Sequence, residues 1–407
     1  MSLVGTWMQT VAQGWLVLEL TGSGAALGLV TAAQFVPILA LAPYGGLLAD
    51  RLDKRRLLMT TQAALGIMAL TLALLVFTGV VQLWMVVGLA LLLGVVFACD
   101  NPVRQSFVQE MVGPDELRNA VSLNSVLVNS ARAVGPAIAG VLITVVGTGL
   151  CFAINAATYA AVLVALAGMD RSALRPSVPA PRRPRQVREG LGYVRRTPDL
   201  LVPLMMLALV GTLAYEFSVV LPLLARGPFG GGAETYGLLT SAMGAGAIVG
   251  GLVVAGHGRT GLRPLTVAAA VFGVAILCAA AAPTLTVALV AMALVGAASI
   301  TFLATGNTTL QLTSEPPFRG RVMALWTMAF LGSTPIGAPI IGAISEYASP
   351  RAGLLLGGLA CLTAAGIGAV GLNLERRRRT VSWGADRGGA PGARGSIAAR
   401  KPTAAES

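Results

Sequence analysis

Four ionisable side chains sit where the surrounding sequence is almost wholly apolar: Asp100, Arg104, Arg132 and Glu216. Even low estimates put a charge at the centre of a bilayer at about 2.5–3.5 kcal/mol, so each should face protein or water. A carboxyl that takes up and releases a proton suits ion coupling. Glu216 is the first candidate for that role, with Asp100 and Arg132 beside it. Helix rise sets Arg132 about 20 Å into its apolar run and Glu216 about 24 Å into its own. Similar depth allows the two to pair, and a static structural ion pair is the competing reading. Asp100 and Arg104 are four residues apart, one helix face, so a local pair is the default and a part in gating stays open. Glu19 lies at the end of its run, where it can reach water.

Little other chemistry is on offer. The single histidine, His257, lies in a short loop, and Cys99, Cys151, Cys278 and Cys361 fall inside apolar runs rather than at metal-ligand spacing. They read as small buried hydrophobes. No Ser-His-Asp or Cys-His arrangement and no phosphate-cradling Gly-Lys-Ser loop is present. The expectation is a protein that is not an enzyme, uses no cofactor or metal, and draws any energy it needs from an ion gradient.

The elements that must position these groups follow from composition. The 407 residues are 55% hydrophobic and only 11% charged, with a mean hydropathy of +0.77. Soluble domains carry about 25% charged residues, so the solvent around most of this chain must be lipid. A bilayer core of about 30 Å needs about 20 apolar helical residues. Such runs occur at 3–20, 25–49, 57–80, 83–108, 119–146 and 150–168, and again at 200–225, 236–255, 265–282, 285–310, 322–348 and 352–372. The predicted fold is an all-α integral membrane protein of 12 transmembrane helices in two six-helix bundles. The predicted boundaries are 1–168, a flexible basic linker at 169–199, 200–372, and a disordered tail at 373–407. The first run opens almost at Met1 with no basic segment before it, so a start codon assigned too late is expected rather than a signal peptide.

With the N-terminus placed in the cytoplasm, all but Arg132, Arg226 and Arg351 of the 29 Lys and Arg residues fall on the cytoplasmic side. The positive-inside rule accepts that orientation and rejects its inverse. The net charge of +12 is then topological, with lipid headgroups rather than nucleic acid as its partner. Both termini are expected in the cytoplasm of a bacterium, with the chain in the inner (plasma) membrane.

The halves repeat. Arg118-Asn119-Ala120-Val121-Ser122-Leu123 echoes Gly320-Arg321-Val322-Met323-Ala324-Leu325, and Gly135-Pro136-Ala137-Ile138-Ala139-Gly140 echoes Gly337-Ala338-Pro339-Ile340-Ile341-Gly342, at one offset. Repeats of this kind build transporters with a site near the midplane. After the second run comes Gly46-Leu47-Leu48-Ala49-Asp50-Arg51-Leu52-Asp53-Lys54-Arg55-Arg56. This resembles the loop signature Gly-x-x-x-Asp-Arg-x-Gly-x-Arg-Arg of the major facilitator superfamily, with Asp53 in place of the second Gly. The second half keeps Gly251 and Gly258, with Ala255 in place of the acid.

Within that superfamily, Gly5-Thr6-Trp7-Met8-Gln9, Trp15 to Ser23, Asp100-Asn101-Pro102-Val103-Arg104-Gln105 and Asn129 to Pro136 look like the branch of enterobactin and macrolide exporters, drug:proton antiporters among them. Residues 135–140 resemble the antiporter motif Gly-Pro-x-x-Gly-Gly, with Ala139 in place of one Gly and Gly135, Pro136 and Gly140 matched. The resemblance implies that Asp50 bridges the halves on the cytoplasmic side, with Arg51, Arg55 and Arg56 in the same gate and Arg51 and Arg55 latched to nearby carboxylates. It further implies that the first, fourth, seventh and tenth spans line the path. Gln9, Gln13, Asn101, Tyr215 and Asn307 are the polar candidates for substrate there, although amides also tie helix to helix. The expectation is a monomeric secondary transporter exporting a drug- or siderophore-like small molecule by proton antiport. Arg132 leaves room for an anionic substrate. An importer on the same fold is the alternative, and a non-transport scaffold a more distant one.

Overall fold

The computed structural model describes residues 2–112, 116–170 and 186–388. Within these, the side chains at 42–51, 109, 117–118, 121–122, 125–126, 129, 186–188, 190, 257, 331 and 375–388 lie outside the description. Low charge and long apolar runs leave the backbone one way to satisfy its polar groups in lipid, which is helix. The chain accordingly folds as α1 (Ser2–Thr21), α2 (Gly24–Arg51), α3 (Lys54–Phe77), α4 (Leu83–Met111), α5 (Leu117–Val146) and α6 (Thr148–Ala167). After α7 (Gln186–Arg196) come α8 (Pro198–Leu213), α9 (Phe217–Arg226), α10 (Ala233–His257), α11 (Leu262–Ala281), α12 (Leu285–Thr313), α13 (Arg319–Leu331), α14 (Thr334–Tyr347) and α15 (Pro350–Gly388).

Ten segments among the described residues are long and apolar enough to cross a membrane, counting α8 with α9 and α13 with α14 as one crossing each. The other two expected crossings are α1, with Thr6, Gln9, Thr10 and Gln13, and α5, apolar only over Ser130–Val146. α1 turns Thr6, Gln9, Thr10 and Gln13, and α5 turns Arg132, toward the cavity between the halves, which is why both tolerate polar residues. The outer surface carries the apolar residues instead: Val145 and Val164 are each 73% exposed and Leu252 70%. Water could not accommodate so broad an apolar surface.

Equivalent residues of the repeat do equivalent work. A Cβ on Gly237 of α10 would lie 2.6 Å from the Pro136 carbonyl of α5, and one on Gly28 of α2 would lie 2.5 Å from the Ala338 carbonyl of α14. The halves therefore touch backbone to backbone along two seams, α5 against α10 and α14 against α2. Gly140 and Gly342, also equivalent, lie in those seams. Gly135 faces the other way, where a Cβ would meet Trp7 Cβ of α1 at 2.7 Å.

Three expectations about the elements need correction. The seventh run is not continuous: α8 stops at Leu213 and α9 starts at Phe217, so Glu216 stands at a break as the residue capping α9. The eleventh breaks similarly between Leu331 and Thr334. The 169–199 linker contains the amphipathic α7, whose Val194 is buried among Leu200, Leu204, Leu310 and Val322. Tyr193 stacks on Phe318 at 4.3 Å, and Glu189 pairs with Arg321 at 3.0 Å. Finally, α15 runs to Gly388, into the segment expected to be disordered, while 389–407 lie outside the described residues.

Candidate functional site

A cavity of about 360 Å³ lies between the halves, a size that suits a small-molecule ligand. Its walls come from α1, α2, α4, α5 and α6 of the first half and from the α8–α9 break, α9, α10 and α12 of the second. The floor is largely apolar: Val17, Leu27, Leu221 and Tyr236 line it and are all buried. Aromatic side chains, Trp7, Phe35, Phe97 and Phe217 among them, line part of the remaining surface. Among the described lining residues one side chain is charged, Arg132.

Arg132 has no carboxylate partner among the described residues. Its guanidinium carbon sits 4.8 Å from the centroid of the Trp7 ring, and its Nε is buried without a hydrogen-bond acceptor. The face of an indole attracts a cation, but it does not replace the hydrogen bonds a guanidinium loses on leaving water. Arg132 and Glu216 do not pair, so the equal-depth argument from helix rise misleads. Depth along a helix says nothing about which way a side chain faces.

Glu216 does not line the cavity. Its neighbours Tyr215 and Phe217 do, while Glu216 turns to the opposite side of the break, 97% buried, beside α14. There the Thr334 hydroxyl approaches the carboxyl, and a Cβ on Gly337 would stand 3.1 Å from its Oε1, which has no hydrogen-bond partner. Tyr215 is fixed by donating to the Ser299 carbonyl at 2.8 Å and by ring contact with Phe330, 4.8 Å between centroids.

The other polar candidates divide. Gln9, Gln13 and Tyr215 line the cavity. Gln9 is held at 2.5 Å by the amide of Asn155 on α6, so its side chain ties α1 to α6. The Gln13 amide has no partner among the described residues. Asn101 and Asn307 do not line the cavity: Asn101 is exposed, and the Asn307 side-chain oxygen accepts from Gln311 one turn on. Asp100 is fully buried outside the cavity, accepting from Arg104 at 2.7 Å, Thr61 at 2.7 Å and Gln62 at 2.8 Å, so it ties α4 to α3. Composition hides these partners, because Thr and Gln in an apolar run carry no signal of what they face.

The expected gate residues fare differently. Gly46, Asp50 and Arg51 fall in the last turns of α2, not past its end, and their side chains lie outside the described residues. Arg55 latches to no carboxylate among the described residues. Its Nε and Nη2 donate to the Leu166 and Ala167 carbonyls at 2.7 and 2.8 Å, supplying the end of α6 with donors it lacks. Arg56 is exposed and lies 3.6 Å from Asp53, while Lys54 pairs with Glu110. Asp53, the departure from the loop signature, accepts from the Arg56 amide at 3.1 Å and caps α3. Cys278 is exposed, unlike the buried thiol expected there.

Hydrogen bonds between the halves, among described residues, gather at the end of the molecule that carries the α1–α2 turn. The Glu346 carboxylate accepts from the Ser23 hydroxyl and the Ala25 amide, Thr144 donates to Glu234 at 2.9 Å, and Arg226 donates to the Leu18 carbonyl at 2.9 Å. These acids and Arg226 are span-end residues, which sequence alone assigns to solvent.

Comparison with known proteins matches this arrangement. The profile of a family described as transmembrane secretion effector, within the major facilitator group, covers residues 1–380. The chain is 27% identical over 253 residues to the staphyloferrin A transporter of Staphylococcus aureus, spanning 62% of this chain and 63%, less than two thirds, of that protein. It is 28% identical over 393 residues to the multidrug efflux pump Tap of Mycolicibacterium fortuitum, covering 92% and 93% of the two chains. The fold is similar to a bacterial homolog of the human lysosomal transporter Spinster, with a TM-score of 0.71 at 15% identity over 91% of this chain and 96% of that one.

Proposed function

The chain belongs to the transmembrane secretion effector family of the major facilitator superfamily, a multi-pass membrane transporter and not an enzyme, and from that premise we propose that it exports amphipathic small molecules by proton antiport. The observation that carries the proposal is the cavity between the halves, sealed at one end by cross-half hydrogen bonds. The excess of basic residues in the loops at the opposite end supports reading the sealed end as the outer one, with both termini in the cytoplasm of a bacterial inner membrane. Alternating access would break the outer bonds and bring the opposite ends of the halves together, hinged along the two glycine seams. The relatives' names, a siderophore transporter and a multidrug efflux pump, favour export over import. One chain holds the whole cavity, so a monomer suffices.

In this reading Glu216 couples a proton to the motion without touching substrate; its burial beside α14, outside the cavity lining, supports that role. Protonation would change the charge at the cap of α9 and its contact with α14. The adjoining Tyr215 and Phe217 carry that change to the cavity wall. Loss of protonophore-sensitive dye efflux in Glu216→Gln cells, with normal expression, is the expected result. Efflux that survives the protonophore in the unaltered protein would sink the antiport reading. Accumulation of the dye would turn it into import.

A further inference from the structure

The charge inside the cavity is one-sided. Arg132 contributes a cation, and no aspartate or glutamate stands among the described lining residues. Among the described residues its guanidinium stands over the Trp7 ring with Tyr215 nearby, and its Nε is buried without an acceptor. Asp100, a fully buried acid of the same half, is already occupied by Arg104, Thr61 and Gln62. Glu216 is turned toward α14 across the break. A desolvated guanidinium without a counter-ion is half of a binding site. Its planar fork matches a carboxylate or similar oxyanion with two parallel hydrogen bonds.

We infer that the transported substrates are amphipathic organic anions, docked with an oxyanion on Arg132 and their apolar body on the aromatic wall of Trp7, Phe35, Phe97 and Phe217. This rests on the cavity being the transport site and adds its selectivity. Gln13, Gln34 and Ser218 line the same space, and their side chains make no hydrogen bond among the described residues. They supply donors and acceptors for the remaining polar groups of such a ligand. A lipophilic cation meets the opposite situation, since no acid among the described lining residues attracts it and Arg132 repels it.

The test uses the purified full chain in nanodiscs of zwitterionic lipid, without any gradient. Anisotropy of carboxyfluorescein reports binding, with 2-naphthoate and its neutral amide as competitors. Carboxyfluorescein binding displaced at least tenfold better by the carboxylate than by the amide is expected. Arg132→Gln should lose that preference and Arg132→Lys keep part of it. Gln13→Glu, which retains Arg132 and adds an acid to the same cavity lining, should lose anion binding and gain the cationic dye rhodamine 6G, guarding against a folding defect in the Arg132 variants. Equal competition by acid and amide, or rhodamine 6G binding tighter than carboxyfluorescein in the unaltered protein, overturns the inference. Protonophore-sensitive efflux of rhodamine 6G together with absent anion binding would sink the inference and leave the export reading standing. Anion binding without efflux would do the reverse.

Discussion

The Glu346 carboxylate, at the end of α14, accepts a 2.6 Å hydrogen bond from the hydroxyl of Ser23, 323 positions earlier, and a 2.8 Å bond from the Ala25 amide. One acid from the second half thus supplies the acceptor for the start of α2 in the first. An N-terminal turn offers free N–H donors and favours negative charge. The bond exists only while the outer ends of the halves are together, so it stabilises one conformation and not the other.

Replacing Glu346 by Gln keeps the shape and removes the charge. Because the group is exposed, the loss is put at about 1 kcal/mol rather than the larger values of buried charged bonds. That shifts the population about fivefold toward the outward-open state. A single cysteine at Leu221, on the cavity floor, placed in a background without the native cysteines, should then label with maleimide about five times faster. Unchanged labelling would show that the bond does not bias the equilibrium.

The glycine seams make a graded prediction. A Cβ on Gly342 would stand 2.3 Å from the Gly24 carbonyl, whereas one on Gly140 meets nothing nearer than 3.1 Å. Overpacking against backbone costs about 1–3 kcal/mol. Gly342→Ala should therefore lower the melting temperature of the purified protein and speed labelling at Leu221→Cys, with Gly140→Ala much milder. Equal effects would mean that the two seams are not used as the geometry indicates.

The twelve-run pattern and its repeat were legible because lipid demands long apolar helices and the pattern of small residues survives in both halves. Arg132 was legible too, as a charge in an apolar run. What the residues face was not. Glu216 and Arg132 share a depth but point to different sides, and only the α8–α9 break decides that. Arg55 fits a signature expected to grip a carboxylate, yet it serves the carbonyl end of α6. The linker helix α7 was hidden by its arginines, since an amphipathic helix on a bundle end has the composition of a loop.

Asp100 and Arg104 should couple strongly. Removing one partner of a buried pair costs about 3–5 kcal/mol, and less here because the Arg104 side chain is 36% exposed. In a double-mutant cycle of Asp100→Ala and Arg104→Ala, the melting data should give a coupling of about 1 kcal/mol or more. Additive losses would reduce the pair to coincidence. Dye efflux per folded molecule should stay sensitive to the protonophore in Arg104→Ala, because the pair lies outside the cavity wall.

Glu216→Gln separates a proton carrier from a structural carboxylate. As a static group, Glu216 would owe its place to partners, and its loss would unfold the break and stop every mode of transport. Instead Oε1 has no hydrogen-bond partner in a site that is 97% buried. A buried carboxylate so poorly served costs stability. The isosteric amide should therefore leave the melting temperature unchanged or raised. In proteoliposomes the variant should still exchange labelled for unlabelled substrate, since that cycle needs no net proton movement, while uphill transport driven by a proton gradient is abolished. Loss of exchange together with a lowered melting temperature would assign Glu216 to structure and send the search for the proton site to another acid.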